Sequence, residues 1–253
     1  MKLIRDTWLL FMRDMMVTLR NPAWLIIGLF QPVCFLLLFA PLLEGIAKAP
    51  GFPPGGALTV FTPGLLVMMG LYGASFVGFG LIADLRAGVI ERLRVTPVSR
   101  LALLLGRALR DVVVLLVQSA ILLLVAWPLG LRADLGGTAL AFGLLALIGL
   151  VMASCSYALA LALKSEDALA PTINFFVLPL QLLSGITLPL TLAPLWIRNV
   201  AALNPLAYAV DAARVLFNGQ LTNSAVLSGF VIMGALALLA MWWAARSFRQ
   251  ATA

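Results

Sequence analysis

The stretch VFTPGLLVMMGLYGASFVGFGLIA, Val60 to Ala83, decides the fold class, because its 24 residues include no Lys, Arg, Asp or Glu. A helix needs roughly 20 mostly apolar residues to cross the hydrocarbon part of a bilayer. Five further uncharged stretches meet that length: Ala23–Leu43, Val112–Leu131, Ala139–Leu163, Ala168–Leu188 and Ser224–Ala245. The mean hydropathy is +1.09. We therefore expect an all-α polytopic membrane protein with six transmembrane helices.

The same stretch carries small residues at a four-residue spacing, Gly70, Ala74 and Gly78. Such spacing places them on one helix face and lets another backbone approach closely. We expect a packing face there, and a homodimer that uses it. A second, different membrane chain in place of an identical copy stays open.

The charged residues predict the orientation of the chain. Thirteen of the 17 Lys and Arg lie before the first span, in the loop between spans 2 and 3, between spans 4 and 5, or after span 6. The alternate loops hold only four. Under the positive-inside rule, both termini are expected in the cytoplasm. The membrane is expected to be the plasma (inner) membrane. The net charge of +7 is then explained by anionic lipid headgroups rather than by nucleic acid.

Residues 1–21 have an amphipathic pattern of their own. Apolar side chains on one helix face are Ile4, Trp8, Phe11, Met12, Met15 and Leu19, and charged ones on the other are Lys2, Arg5, Asp6, Arg13 and Arg20. This pattern is typical of a helix in the membrane interface, and a solvated lead-in to the first span is the alternative. Asn21-Pro22 then breaks the helix. The predicted organisation is an interfacial helix over 1–21 and a six-span domain over 22–253.

A long apolar segment interrupted by prolines separates spans 5 and 6. Its helical pieces, about Pro194–Leu203 and Leu206–Phe217, are too short to cross the membrane. We expect re-entrant or interfacial helices on the outer side. Asp211 and Arg214, three residues apart, can form an ion pair there.

Several kinds of chemistry are missing from the sequence. There is no histidine, which excludes Ser-His-Asp and Cys-His catalysis. No GxxxxGK[ST] phosphate loop occurs, so the chain is not expected to be an enzyme that hydrolyses ATP by that mechanism. The six spans hold no ionisable Asp, Glu, Lys or Arg, which argues against a proton-driven carrier. The two cysteines fall inside spans, and we expect neither a disulfide nor a metal site.

The loop after span 2 contains IERLRVTPVSR, Ile90 to Arg100. Leu85 to Val95 fits a short amphipathic helix, Thr96-Pro97 ends it, and Ser99 is a suitable N-cap for the next helix. Two interpretations stay open. The arginines are a positive-inside anchor, or the loop is a handle for a cytosolic protein.

Two segments resemble signature segments of the membrane subunits of type-2 ABC exporters, which include daunorubicin-resistance permeases. They are IERLRVTPVSRLALLLGRALRD and LNPLAYAVDAAR, Leu203 to Arg214. The resemblance covers nearly the whole chain. It implies a complex of two permease subunits and two cytosolic ATPase subunits, in which the ATPases bind ATP and Mg and this chain binds no cofactor.

The resemblance also implies roles for particular residues. ATPase coupling would involve Ile90, Glu91, Arg92, Leu93, Arg94, Val95, Thr96 and Pro97, with Ser165 and Glu166 in a second, weaker contact. Spans 1, 2 and 5 would surround the substrate path, for which polarity and aromaticity suggest Gln31, Phe76, Phe79, Asn174, Phe175 and Gln181. Hydrogen bonding within the bundle is the alternative for the polar members of that set.

The function predicted on these grounds is a permease subunit of an ATP-driven exporter of hydrophobic or amphipathic molecules. Drugs, lipids and lipid-linked molecules all suit a neutral, apolar path. An autonomous secondary carrier or channel is one rival, since neutral ligands can bind Na⁺. A membrane scaffold that transports nothing is the other.

Overall fold

The computed structural model describes residues 2–21, 23–46, 56–89, 99–187 and 189–251. Within these ranges the chain is helical and holds no strand. The helices are α1 (Lys2–Arg20), α2 (Ala23–Ile46), α3 (Gly56–Ser75), α4 (Gly78–Arg86), α5 (Arg100–Ala126), α6 (Leu135–Leu163), α7 (Glu166–Leu182), α8 (Leu195–Ala201), α9 (Pro205–Phe217) and α10 (Ser224–Ala251), with a 3-10 turn at Leu190–Leu192. The all-helical prediction is confirmed.

Four helical stretches in the described chain are long and apolar enough to cross a membrane. They are Gly56–Arg86, Leu101–Ala126, Leu135–Leu163 and Ser224–Gln250. The pair α8 and α9 passes the same test only if both helices are counted together, across a bend of 98°. α7 has 17 residues, and the shorter apolar helix Ile26–Phe39 lies within α2. The chain is thus a multi-pass membrane protein with four or five candidate spans, and the count of six stays a prediction.

α6 lies at the centre of the bundle and packs against α3, α4, α5, α7, α9 and α10. α3 is buried along nearly its whole length, so it shares the core with α6. Close approach of helices in a membrane depends on small side chains, because lipid tails are as apolar as the side chains they would replace. A Cβ on Gly149 of α6, for instance, would lie 2.8 Å from Cδ2 of Leu115 on α5.

The small-residue face of α3 and α4 also packs within the chain. A Cβ on Gly70 would lie 3.0 Å from Cγ2 of Ile148, and a Cβ on Gly78 would lie 2.7 Å from the carbonyl oxygen of Ser156. Both neighbours belong to α6, and Ala74 is buried as well. The close approach expected at Gly70, Ala74 and Gly78 is therefore present, but α6 occupies this face. The sequence prediction is corrected here: a second copy has to use another surface.

The stretch Val60–Ala83, expected as one span, lies within the single candidate span Gly56–Arg86, and a short turn between α3 and α4 interrupts its helix. The backbone N–H of Gly78 donates to Oγ of Ser156 (2.9 Å), and that hydroxyl donates to the carbonyl of Ser75 (2.5 Å). A single hydroxyl on α6 therefore satisfies backbone groups that a membrane interior would otherwise leave unpaired.

α1 packs against α5 at one end of the bundle. A Cβ on Gly106 would lie 2.9 Å from Cβ of Leu10, and Leu10 and Phe11 are buried against this surface. Ile4 and Trp8, from the predicted apolar face, are exposed. The helix of residues 2–20 is present, and its place in the membrane interface stays a prediction.

The two short helices expected before the last span are α8 and α9, and the bend between them precedes the cap residue Asn204. The Asn204 side chain accepts from the N–H of Leu206 (3.0 Å) and caps α9. Arg214 is buried, lies 3.8 Å from Asp211, and donates to the carbonyls of Val60 (3.0 Å) and Gly185 (2.6 Å). The predicted Asp211–Arg214 pair is confirmed, and Arg214 also joins α9 to α3 and to the turn after α7.

Candidate functional site: a charge network beside residues 90–98

The predicted coupling residues Ile90, Glu91, Arg92, Leu93, Arg94, Val95, Thr96 and Pro97 lie outside the described residues, but both flanks of this segment are described. α4 ends at Arg86 on one side, and α5 begins at Arg100 on the other. The Ser99 side chain accepts from the N–H of Ala102 (3.1 Å), so the predicted N-cap is confirmed.

The second predicted contact, Ser165 and Glu166, lies next to the first flank. Ser165 is at the N-cap position of α7 and makes no side-chain cap hydrogen bond. Glu166 accepts from Arg86 through Oε1 (3.1 Å). Both side chains of this pair are well exposed, at 59% for Arg86 and 41% for Glu166. An exposed pair of this kind contributes at most about 1 kcal/mol, but it does place the start of α7 beside the end of α4.

A second ion pair, between Arg107 and Asp84, is partly buried. Arg107 of α5 donates to Oδ2 of Asp84 of α4, and only 6% of Arg107 is exposed. The pair joins the last turn of α4 to the second turn of α5, so it spans the two flanks of residues 90–98. The Asp84 side chain is 33% exposed, so loss of Asp84 would leave the buried Arg107 charge uncompensated, whereas Asp84 without Arg107 would keep some contact with water.

A second cluster follows one turn further into the bundle. Arg110 Nη2 lies 2.8 Å from Oδ1 of Asp111, and the Tyr157 hydroxyl donates to Oδ2 of the same carboxylate. Asp111 is 8% exposed and Tyr157 is 0% exposed. Each Asp111 oxygen therefore has its own donor, one from α5 and one from α6, which is what a buried carboxylate requires.

The N-terminal helix joins this cluster through Arg110. Nη1 of Arg110 donates to Oγ1 of Thr18 at 3.4 Å, and the Thr18 hydroxyl donates to the carbonyl of Asp14 (3.0 Å). We define the charge network as Asp84, Arg86, Arg107, Arg110, Asp111, Tyr157 and Glu166. Its residues lie on α4, α5, α6 and α7, and Arg110 links them to Thr18 of α1.

The sequence did not predict most of this network, because the third span was expected to start further along the chain than it does. The third span was predicted to begin at Val112, so Arg107, Arg110 and Asp111 were expected before it, on the helix that leads into the span, and no partner was predicted for them. In the structure α5 begins at Arg100, and the candidate span starts at Leu101. The available signal was Asp111, an acidic residue directly before an apolar run, since ionisable residues in such places usually face a partner.

The predicted path residues fall into two groups. Gln181 is half-buried, and its Oε1 accepts from the Tyr72 hydroxyl of α3, so it takes part in hydrogen bonding within the bundle. Phe76 and Phe79 are half-buried and stack with centroids 5.9 Å apart. Gln31 on α2, and Asn174 and Phe175 on α7, are exposed on the surface of the single chain. The structure thus brings Gln181 to α3, and the path role of all six stays a prediction.

Comparison with families of known proteins matches residues 5–218 to the family described as ABC-2 type transporter. The chain belongs to the ABC-2 type transporter family. This family is the transmembrane permease component of ABC transporters, and its members generally work with an ATPase partner. The matched range contains the whole charge network and the bent helices α8 and α9.

Individual relatives agree with the family. The putative transport permease ycf38 of Cyanophora paradoxa is 29% identical over 217 residues, or 85% of this chain and 75% of the relative. The daunorubicin resistance ABC transporter permease protein DrrB1 of Streptomyces coeruleorubidus is 29% identical over 209 residues, or 82% and 73%. The probable multidrug ABC transporter permease YbhR of Escherichia coli K12 is 22% identical over 157 residues, or 61% and 42%.

Proposed function

We propose that this ABC-2 permease is the membrane half of an ATP-driven exporter of hydrophobic or amphipathic molecules. A separate cytosolic ATPase, in two copies, binds ATP and Mg and moves residues 90–97. Two copies of the permease form the path between them in the plasma membrane, with both termini in the cytoplasm. Relatives whose names specify daunorubicin resistance and multidrug transport support the choice of cargo class.

One observation carries the coupling proposal: the Arg107–Asp84 pair joins the two flanks of residues 90–98. A displaced segment pulls on both flanks, and an ion pair between these flanks makes α4 and α5 move together. The Arg110–Asp111–Tyr157 cluster then passes the displacement to α6, the central helix. Arg86 and Glu166 extend the connection to α7, on which Asn174 and Phe175 are exposed.

The test measures substrate-stimulated ATPase activity of the complex purified through a tag on this chain. A co-purifying soluble chain with a GxxxxGK[ST] motif is required first. Glu91→Ala and Arg94→Ala should then each reduce the stimulation to near the basal rate, while the complex stays assembled.

The matched control is Arg246→Ala, which removes the same charge near the end of α10, where Arg246 lies over the Trp242 ring (5.7 Å). Stimulation should persist in this variant. Full stimulation in both loop variants would refute the coupling role, and the absence of any ATPase from the purified complex would refute the exporter itself.

Asp111 favours a second candidate, an ion-coupled carrier, because a buried carboxylate in a span is a usual coupling site. Such a carrier would transport without an ATPase. The purified permease in liposomes with an imposed proton gradient separates the two. Substrate flux that is lost in Asp111→Asn would support the carrier, and flux that requires ATP and the partner would support the exporter.

A further inference from the structure

An open groove of about 790 Å³ lies where α5 ends and α6 begins. Its walls come from the last turns of α5, the first turns of α6 and the end of α9, and they include Leu123, Leu124 and Phe142. Both α5 and α6 are candidate spans, so the groove lies where the chain leaves the apolar part of the membrane. The charge network lies at the other end of the same two helices.

The chemistry of the groove changes from wall to rim. The walls are aliphatic and aromatic, whereas the rim carries Trp127, Arg132 and Asp134. Trp is enriched at the depth of lipid headgroups, where one end of the ring is apolar and the other is hydrated. An apolar groove with a cation at its rim complements an amphiphile that has a negatively charged headgroup.

Arg132 is the cation that this rim offers. Its side chain is exposed, and within the described ranges no carboxylate lies in ion-pair distance of it. The nearby Asp134 carboxylate is already engaged, because its Oδ2 accepts from the N–H of Gly137 (2.7 Å) and caps α6. The guanidinium can therefore bind an external anion, and a phosphate group suits its forked donors.

The backbone of the rim is held in place before any ligand arrives. The carbonyl of Arg132 accepts from the Thr59 hydroxyl (3.5 Å) at the start of α3. The N–H of Asp134 donates to the carbonyl of Phe217 (3.2 Å) at the end of α9. The hydrogen bond at Asp134 restrains the backbone of the rim, so the rim loses less conformational freedom when a ligand binds.

We propose that this groove binds one phospholipid from the leaflet opposite the charge network. One acyl chain lies along Leu123, Leu124 and Phe142, and the phosphate contacts Arg132. The groove volume falls within the usual range of small-molecule sites, about 300–1,000 Å³. This site is separate from the predicted path residues, which lie on α2, α4 and α7 and in the turn between α3 and α4, and it does not depend on the exporter function.

The experiment compares two lipids that differ only in the headgroup. Native mass spectrometry of the full chain, released from detergent micelles, measures binding of phosphatidylglycerol and of diacylglycerol with the same acyl chains. Phosphatidylglycerol should bind on the order of tenfold more tightly, the amount that one charge-assisted contact supplies. Equal binding of the two lipids would overturn the proposal.

Variants assign the contact to the groove. R132Q should lower the phosphatidylglycerol affinity to that of diacylglycerol, and R132K should retain most of it. Ala120→Trp fills the apolar wall and should weaken both lipids. An affinity for phosphatidylglycerol that is unchanged in R132Q, or in Ala120→Trp, would place the lipid elsewhere and refute the site.

The matched control is R198Q, on the same side of the membrane. The Arg198 guanidinium already donates to the carbonyls of Ala193 (2.9 Å) and Thr191, so its loss should leave the lipid affinity unchanged. Circular dichroism verifies that each variant is folded, and Ala120→Trp, which fills the groove without changing a charge, decides the question where R132Q does not fold. No ATPase is needed, so a negative result would leave the exporter proposal unaffected.

Discussion

Replacing Tyr157 by Phe removes the hydroxyl that donates to the Asp111 carboxylate and keeps the ring that fills the bundle. Tyr157 is fully buried and Asp111 is nearly so, so water cannot replace the lost donor without opening the α5–α6 contact. A hydrogen bond to a charged group contributes about 1.5–3 kcal/mol in soluble proteins. Interhelical pairs in a membrane protein reach only about 1.7 kcal/mol. We expect Tyr157→Phe to lower the free energy of unfolding by about 1.5 kcal/mol.

A double-mutant cycle separates the charge from the ring. In an Asp111→Asn background the acceptor is neutral, and the same Tyr157→Phe change should cost roughly 0.5 kcal/mol, so the coupling energy is about 1 kcal/mol. The assay is unfolding by increasing dodecyl sulfate in mixed micelles, followed by tryptophan fluorescence. Equal costs in both backgrounds would refute the assignment of Tyr157 as a donor to a charged Asp111.

Tyr208 supplies the matched control for this cycle. Its hydroxyl donates to the neutral carbonyl of Ala202 (3.0 Å) in an exposed position. Water can take over that interaction, so Tyr208→Phe should change the free energy of unfolding by less than about 0.5 kcal/mol. A loss at Tyr208 as large as that at Tyr157 would mean that the assay responds to any missing hydroxyl.

Two further predictions use pairs of matched positions. Gly78→Ala should destabilise the fold by about 1–3 kcal/mol, because its Cβ would lie 2.7 Å from Ser156. A Cβ on Gly80 would meet no atom within 4 Å, so Gly80→Ala should be neutral or stabilise by up to about 1 kcal/mol. Equal unfolding midpoints for the Gly78→Ala and Gly80→Ala variants would contradict the close approach of α4 and α6. Arg107→Gln should cost about 1.5 kcal/mol, because it removes a charge-assisted hydrogen bond to the partly exposed Asp84. Arg86→Gln should cost under about 1 kcal/mol, because the Arg86–Glu166 pair is exposed. A larger loss of unfolding free energy in Arg86→Gln than in Arg107→Gln would contradict this ranking of the two pairs.

The sequence predicted those parts of the fold that depend on local composition. Uncharged apolar runs indicated the helices, prolines indicated the short helices before α10, and Ser99 indicated the start of α5. The break between α3 and α4 was not predictable in this way, because Ser75, Phe76, Val77 and Gly78 are all compatible with a continuous helix. The partner that stabilises the break is Ser156, 81 residues from Ser75.

The candidate site was predicted less completely, for a related reason. Counting arginines by loop treats each one as a solvated charge, whereas Arg107 is buried against Asp84 across the 90–98 segment. Small-residue spacing at Gly70 and Gly78 likewise predicts that some backbone comes close, and it cannot specify whether that backbone belongs to α6 or to another chain. In both cases the missing information is the identity of a distant partner.

Arg214 restricts how the helix ends opposite the charge network can move relative to one another. One guanidinium holds the carbonyl of Val60 in α3 and that of Gly185 after α7, from a position inside α9. Pulling these three pieces apart would strip acceptors from a buried cation, which is costly in a medium that supplies no substitutes. Within one chain, the ends of α3, α7 and α9 should therefore travel together as a single rigid body, and any opening should form along the border of that body.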